Sequence, residues 1–375
     1  MKIVLDPTDL RDAVTWAARA LPARPHIPVL TGLVLDAGGD RLTVAAFDTS
    51  TSARATLPAD VAAPGRVILP GRVLAEIVKA LPADQPVHLA LDGTEATIVS
   101  GRSEFGLQTL PADEYPTLPA VPAAAGTVDA AELHNAIAQT AVAASNDVTL
   151  PMLTGILVET KSGQIALAAS DRYRLAARTL PWQPHTSDRL RIVAHAKTLT
   201  ALTKGLTGEA TIGADENLLA VATGTRTITL RAVDTQFPEW RKLLAQADAY
   251  TVSAELPAQE FADAVRRVSL AAAREHTPVR LTFTAGAVTV RVNSDETRAA
   301  ETLEVKHSGD IEIAFQPLYL TDAVTGCKTK TVTLRMTEPA KPAVVTPGTG
   351  GETSGGEDGG EQVYRHLLMP VRLAS

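Results

Sequence analysis

Pro28-Val-Leu-Thr-Gly-Leu-Val-Leu-Asp36 and Pro151-Met-Leu-Thr-Gly-Ile-Leu-Val-Glu159 are one motif written twice, 123 positions apart. Strand-like text follows each copy and stops at a lone aspartate. Leu42-Thr-Val-Ala-Ala-Phe-Asp48 closes the first and Ile165-Ala-Leu-Ala-Ala-Ser-Asp171 the second, again 123 apart. An offset that holds from Pro28 to Asp48 marks a duplicated unit, and that duplication organises everything else.

Reading outward, each unit opens on the same helical motif: Leu10-Arg-Asp-Ala-Val14, Leu133-His-Asn-Ala-Ile137 and Phe261-Ala-Asp-Ala-Val265. In the first unit Asp6 is an N-cap candidate with Pro7 at the first helical position. The apolar face is expected at Leu10, Ala13, Val14, Ala17, Ala18 and Leu21. PVLTGLVLD, RLTVAAFD and SARATL read as strands. VILPGRVLAEIVKAL reads as a strand, a Pro-Gly turn and a second helix, with Leu74, Ile77, Val78 and Leu81 on one side. VHLAL, EATIVS and EFGLQTL follow as three more strands. The order begins again at Thr127-Val-Asp-Ala-Ala-Glu-Leu133, read as a helix opening with Leu133, Ile137, Ala141 and Ala144 on its face, and a third time near Tyr250. The expected architecture is α+β: three β-rich modules with two helices each, over residues 1–124, 125–248 and 249–375. An acidic Gly-rich stretch at about 346–362 reads as a flexible loop between the last two strands. No Lys-Ser/Thr follows its glycines, so it is no phosphate loop.

Composition narrows the classes. Apolar residues are 45% of the chain, charged residues 21%, and aromatics only 4%, so aliphatic side chains must fill the cores. The one cysteine, Cys327, excludes a disulfide framework or a cysteine metal cluster and reads as a small hydrophobe near a strand. MKIVLDPTDL breaks its apolar run at Asp6, short of a signal-peptide core, and no run is long enough to span a bilayer. The expected location is the cytoplasm. A net charge of −7 argues against a generic nucleic-acid binder but says nothing of local basic surface.

No HExxH, Walker A, GxSxG or Cys/His ligand spacing occurs, and the 8 histidines are scattered, so no catalytic residue, metal or cofactor is expected. Asp48 and Asp171 could form a catalytic carboxylate pair. A duplicated Asp at a strand end more simply caps the following turn. Arg11, Arg19, Arg24, Arg72, Lys79, Lys197, Lys204, Arg266, Arg267 and Arg274 lie on or beside expected helices. Acidic residues (Asp113, Glu114, Asp295, Glu296, Glu352, Glu357, Asp358) lie in loops and strand text. Either the helix faces are merely solvated, or together they form a surface that meets phosphates without reading bases.

LPARPHIPVL, Gly71-Arg72, LPADEYPTLP, TLPMLTG, SDRYRLA, FPEWRKLL, KPAVV and LLMPVRL agree in order and spacing with one family. The chain resembles the bacterial DNA polymerase III β sliding clamps, their actinobacterial branch above all, over its whole length. That resemblance implies a head-to-tail homodimer ring of six modules, helices lining the hole, with no catalysis. The implied partners are double-stranded DNA, the polymerase α subunit, the clamp loader and other proteins carrying a clamp-binding motif. It implies a peptide groove from Leu153, Ser170, Arg172, Tyr173, Arg174, Leu175, Pro238, Lys242, Leu243, Leu367, Met369, Pro370, Val371 and Arg372. Arg24, Arg72 and Lys197 match contacts to DNA phosphates. The dimer contact would join Arg102, Phe105 and Leu107 to Leu270–Glu275 and Ala300–Glu304, Arg102 facing Glu301 or Glu304. The chain departs from the pattern at Asn146, Ser170, Lys242 and His366, with Tyr364 expected beside His366. Those departures fit a second, diverged clamp that escapes a groove-binding inhibitor. A pure interaction scaffold that forms no ring is the other class to be weighed.

Overall fold

The computed structural model describes residues 1–147, 149–187, 189–272, 277–293, 297–348 and 364–372. Arg274, Glu275, Asp295 and Glu296 lie outside them, as does the Gly-rich acidic run beyond Gly348. Seven α-helices are described: Pro7–Ala17 (α1), Gly71–Ala80 (α2), Ala130–Ala141 (α3), Ala196–Thr203 (α4), Trp240–Ala245 (α5), Ala258–Ser269 (α6) and Pro317–Gly326 (α7). The remaining regular structure is almost all antiparallel strand, an α+β chain. Among the described residues no helix is long and apolar enough to cross a membrane.

The repeated helix motif does the same work each time. Leu10, Leu133 and Phe261 are buried, as are Ala13, Ala136 and Ala264 and then Val14, Ile137 and Val265. Asp6 caps α1 by accepting from the Thr8 and Asp9 amides, and Pro7 opens the helix. Four local expectations need correction. Pro28–Thr31 and Pro151–Leu153 are 3-10 turns rather than strand, since a proline has no N–H for a ladder. Thr127–Asp129 ends a strand, and α3 begins at Ala130 and stops before Ala144. α1 ends at Ala17 and passes into a 3-10 turn, so Ala18 and Leu21 lie beyond it. Pro70-Gly71 is no separate turn: the strand Gly65–Pro70 runs directly into α2. The strand Asp60–Ala63 and helix α5 were not expected.

The chain divides into two compact units, Met1–His134 with Pro184–Ala232 and Asn135–Gln183 with Val233–Ser375. Each joins an outer sequence repeat to part of the middle one. In the first, a sheet orders Asp60–Ala63, Lys2–Leu5, Val87–Asp92, Glu95–Ser100 and Ser103–Gln108. A second runs through Ala124–Asp129, Glu209–Ala214, Leu218–Ala222, Arg226–Arg231, Thr51–Pro58, Arg41–Phe47, Gly32–Gly38 and Gly65–Pro70. The join between repeats is the pairing of Arg226–Arg231 with Thr51–Pro58, where buried Ser52 and Thr229 share a 2.6 Å hydroxyl hydrogen bond. In the second unit Arg174–Pro181 pairs in the same way with Tyr364–Leu368. That sheet continues through Ala343–Pro347, Thr331–Met336 and Val252–Pro257. A four-stranded sheet, Arg298–Glu304, Ala287–Asn293, Val279–Thr284 and Ile311–Phe315, carries α6 on one face.

Asp48 and Asp171 are turn caps. Asp48 accepts from the Ser50 and Thr51 amides, and Asp171 from those of Tyr173 and Arg174. The residue after each sits in left-handed backbone, Thr49 at φ 77° and Arg172 at φ 78°. The carboxylates are spent on backbone, which removes the catalytic pair as a reading. A β-branched residue pays about 1 kcal/mol in that conformation. Thr49→Gly is therefore expected to raise stability by roughly that amount, read as a higher urea midpoint at unchanged slope.

Candidate functional site

The second-copy turn is where the duplicated frame acquires new side chains. Asp48-Thr-Ser-Thr51 becomes Asp171-Arg-Tyr-Arg174 on the same backbone. Arg172 and Tyr173 point outward, Tyr173 at 58% exposure, while Arg174 and Leu175 are buried. Arg174 donates through Nε to Asp171 Oδ2 at 3.0 Å and through a terminal nitrogen to Asp322 Oδ2 at 2.7 Å. Its guanidinium also lies 4.2 Å from the Tyr319 ring centroid. A buried cation held by two carboxylates and a ring is a structural pin, and stripping a partner from such a pair costs about 3–5 kcal/mol. The Ser170 hydroxyl donates to the Arg174 carbonyl at 2.9 Å and so lies inside the turn.

Strand pairing brings the end of the chain to this turn. Leu175 is opposite Leu367 and Arg174 opposite Leu368. The Met369 amide then donates to the Tyr173 carbonyl at 2.8 Å, and the Val371 amide to the Ala314 carbonyl. Leu367 is buried, Pro370 and Val371 are half-buried, and Met369 and Arg372 are exposed. Pro238, Lys242 and Leu243 come from α5 and the residue leading into it. Trp240 anchors that helix by donating from Nε1 to Glu159 Oε1 at 2.9 Å, and Arg241 pairs with the same carboxylate. This turns Pro238, Lys242 and Leu243 outward. Glu159 stands where the first copy has an exposed Asp36. Leu153 is half-buried in the 3-10 turn, and Met152 beside it is 54% exposed. Asp147 is held below the usual carboxylate range, first by the Thr149 hydroxyl and amide, with Arg172 adding to it. The other side of α5 carries a separate cavity of about 260 Å3 between Trp240, Leu244, Ala177 and Arg365, away from the expected groove positions.

Sequence reasoning missed Tyr319, Asp322 and Glu159. The first two sit on α7, and the Arg174–Asp322 contact spans 148 positions, beyond any local signal. Lys242 and Asn146 are exposed, whereas His366 is fully buried with the Tyr364 hydroxyl 2.8 Å from its Nδ1. Tyr364 also donates to the Gln139 carbonyl. Cys327 is buried, and burial pushes its thiol up to about 12.

The basic residues sort themselves. Arg11 donates to the Val78 and Leu81 carbonyls at the end of α2, and Arg19 to those of Ala201 and Lys204 at the end of α4. Lys79, Arg266 and Arg267 pair with Glu76, Asp263 and Glu301. Each of these cations already has a partner within the chain, although Lys79, Arg266 and Arg267 stay exposed. Arg24 and Lys197 remain exposed, and Arg72 reaches the Pro22 and Ala23 carbonyls only at 3.4 Å. Burial, and then the Lys197 charge, hold His195 below its ordinary range. Among the described residues no His/Cys/Asp/Glu group could hold a metal ion.

A β-rich module written three times, with an exposed Arg172-Tyr173 turn in its second copy and exposed cations at Arg72 and Lys197 where α2 and α4 begin, defines a class, the three-module DNA clamps. The amino-terminal, central and carboxy-terminal domains of the DNA polymerase III beta subunit match residues 1–119, 127–239 and 247–352. A beta sliding clamp of Streptomyces coelicolor is 38% identical across the whole of both chains. The beta sliding clamp homolog GriR of Streptomyces muensis is 35% identical, again over both full lengths. A crystal structure of a Pseudomonas aeruginosa DnaN sliding clamp bound to griselimycin superposes with a TM-score of 0.90 at 25% identity, covering both chains fully. The chain belongs to the DNA polymerase III beta-subunit family, the β sliding clamps, and is of actinobacterial type. It is a processivity factor without catalysis, which encircles duplex DNA as a dimer and tethers the polymerase to it.

One consequence is measurable without a partner. Burial first, and then the nearby Arg174 charge, push His366 down to about 3. Below about pH 6.5 the unfolded chain takes up this proton and the folded chain does not, so stability falls with pH by about 1.4 kcal/mol per unit until pH nears 3. Urea midpoints from pH 7 to 4.5 should decline less steeply in His366→Gln than in the parent; parallel profiles would show that His366 is not the group responsible.

Proposed function

We propose that polymerase and other partner proteins dock on the outward face of the second-copy turn, between α5 and the end of the chain. Tyr173, Leu243, Met152 and Met369 offer exposed apolar surface, and Arg172, Lys242 and Arg372 offer cations at its rim. That mixture suits a short peptide with apolar anchors, and Met369 adapts its shape readily. The observation that carries the reading is the stitch between Tyr173 and Met369, with Arg174 pinned beneath: a hydrogen-bonded floor under exposed side chains. Arg24, Arg72 and Lys197 are proposed to meet DNA phosphates, a sequence-independent contact weakened by salt. The homodimer is proposed to close through Arg102, Phe105 and Leu107 against Leu270, Glu301 and Glu304, in the cytoplasm where the chromosome lies.

A second reading follows from the likeness to GriR and from Lys242 and Asn146, both exposed: a duplicate clamp specialised to resist a groove-binding inhibitor. Ser170 and His366 contribute nothing directly to it, because both are turned inward. Griselimycin affinity equal to that of an ordinary clamp would remove this reading.

Met369→Glu is expected to weaken partner-peptide binding at least tenfold while the protein still elutes as a dimer; a lost dimer would mean that the groove is misplaced. Reversing Arg24, Arg72 and Lys197 together should shorten residence on nicked circular DNA and reduce its salt dependence, with peptide affinity unchanged.

A further inference from the structure

The docking frame is written twice in this chain. In the first copy Asp48 caps the turn, Thr49 is left-handed, and the Arg231 amide donates to the Ser50 carbonyl at 2.8 Å. In the second, Asp171, Arg172 and the hydrogen bond from the Met369 amide to the Tyr173 carbonyl repeat that geometry, again at 2.8 Å. Besides the side chains of the turn, the copies differ in α5. Resting on the docking reading above, we infer that Glu159 is the positioning residue of this surface. By latching Trp240 and Arg241 it fixes α5, and with it the wall formed by Pro238, Lys242 and Leu243, without itself meeting the partner.

α5 cannot stand by itself. It has 6 residues, and no side chain caps its first turn. A helix that short is unstable in water unless other parts of the chain hold it. Trp240 and Leu244 bury one side of it. Glu159, itself buried, accepts from Trp240 Nε1 at 2.9 Å and pairs with Arg241, whose guanidinium lies 4.3 Å from the Trp240 ring centroid. One carboxylate therefore grips two consecutive residues at the start of α5. Toward Ala177 and Arg365 the helix borders the cavity of about 260 Å3, so close packing does not fix it there. The latch does.

The first copy lacks both latch and helix. Aligned on Pro116 and Pro238, Leu118 stands in place of Trp240 and Pro119 in place of Arg241. Asp36, one methylene shorter and exposed, stands in place of Glu159. None of the three side chains can be exchanged for its counterpart: leucine has no N–H to donate, proline no charge, and Asp36 a shorter reach. No helix forms between residues 109 and 123, and Leu118 packs instead with Tyr115 onto the core of the first repeat.

The functional consequence follows from populations. When only a fraction of molecules holds α5 in place, apparent affinity for a partner falls by that fraction. Because the latch acts through α5, its effect must run through Leu243 on that helix. Met369, which the end of the chain supplies, lies outside that route.

The test is the affinity of a labelled synthetic peptide carrying leucine and phenylalanine anchors, read by fluorescence anisotropy, with circular dichroism as the folding control. Glu159→Ala is expected to raise the dissociation constant about tenfold, and Glu159→Gln, which keeps an acceptor for Trp240, by less. Adding Leu243→Ala to Glu159→Ala should weaken binding little further, whereas adding Met369→Ala should multiply the two losses. Unchanged affinity, or losses that multiply alike in both backgrounds, would overturn the inference. Trp240→Phe, which keeps an aromatic ring but removes the indole N–H, should show the same dependence on Leu243 and serves if Glu159→Ala does not fold. In the free protein, hydrogen exchange of the α5 amides should quicken in Glu159→Ala while that of α7 keeps the parent rate; an unchanged α5 also overturns the latch. If Leu243→Ala and Met369→Ala both bind the peptide as the parent does, the docking reading itself falls, whatever Glu159 does to α5.

Discussion

Every strand at the edge of a sheet carries a row of amides and carbonyls that must be paired, covered or left to water. In this molecule that requirement decides how copies of one module are joined. The first repeat offers Thr51–Pro58 and the middle repeat answers with Arg226–Arg231; the middle repeat offers Arg174–Pro181 and the last answers with Tyr364–Leu368. The compact units therefore run across repeat boundaries. An edge that would be an aggregation hazard in a lone module becomes a link between modules.

The same economy builds the surface proposed to bind partners. Asp48 and Asp171 cap identical turns, each with a left-handed residue after it. The first copy fills its turn with small hydroxyl residues and is structural. The second places Arg174 in the same turn and pins it with Asp171, Asp322 and Tyr319, so that Arg172 and Tyr173 are presented from a floor that cannot shift. Duplication supplied the backbone; divergence of Thr51 and its neighbours supplied the exposed side chains.

Local chemistry was readable wherever local chemistry decides. The Asp6 cap, the three copies of the helix motif and the turn-capping aspartates were legible, because each depends on residues within a few positions. PVLT and PMLT misled because their apolar text resembles a strand while their prolines cannot join one. α5 went unseen because it is short and is held by Glu159, 82 positions from Arg241. The groove positions could be carried over by resemblance, but their division into pin and presenter could not. Arg174 and Arg172 look alike in sequence, and burial alone separates them.

The sequence by itself determined the repeat, the elements within it and the family, because periodicity, caps and matched motifs are written in neighbouring residues. Only the tertiary structure decided which charges are available. Arg11 and Arg19 are spent on helix ends, Arg267 on Glu301, and Arg174 on Asp322, whereas Arg24, Lys197, Arg291 and Arg298 remain exposed. A side chain's charge is a property of its residue type. Whether that charge meets a partner depends on what lies within about 4 Å, and strands distant in sequence set that distance.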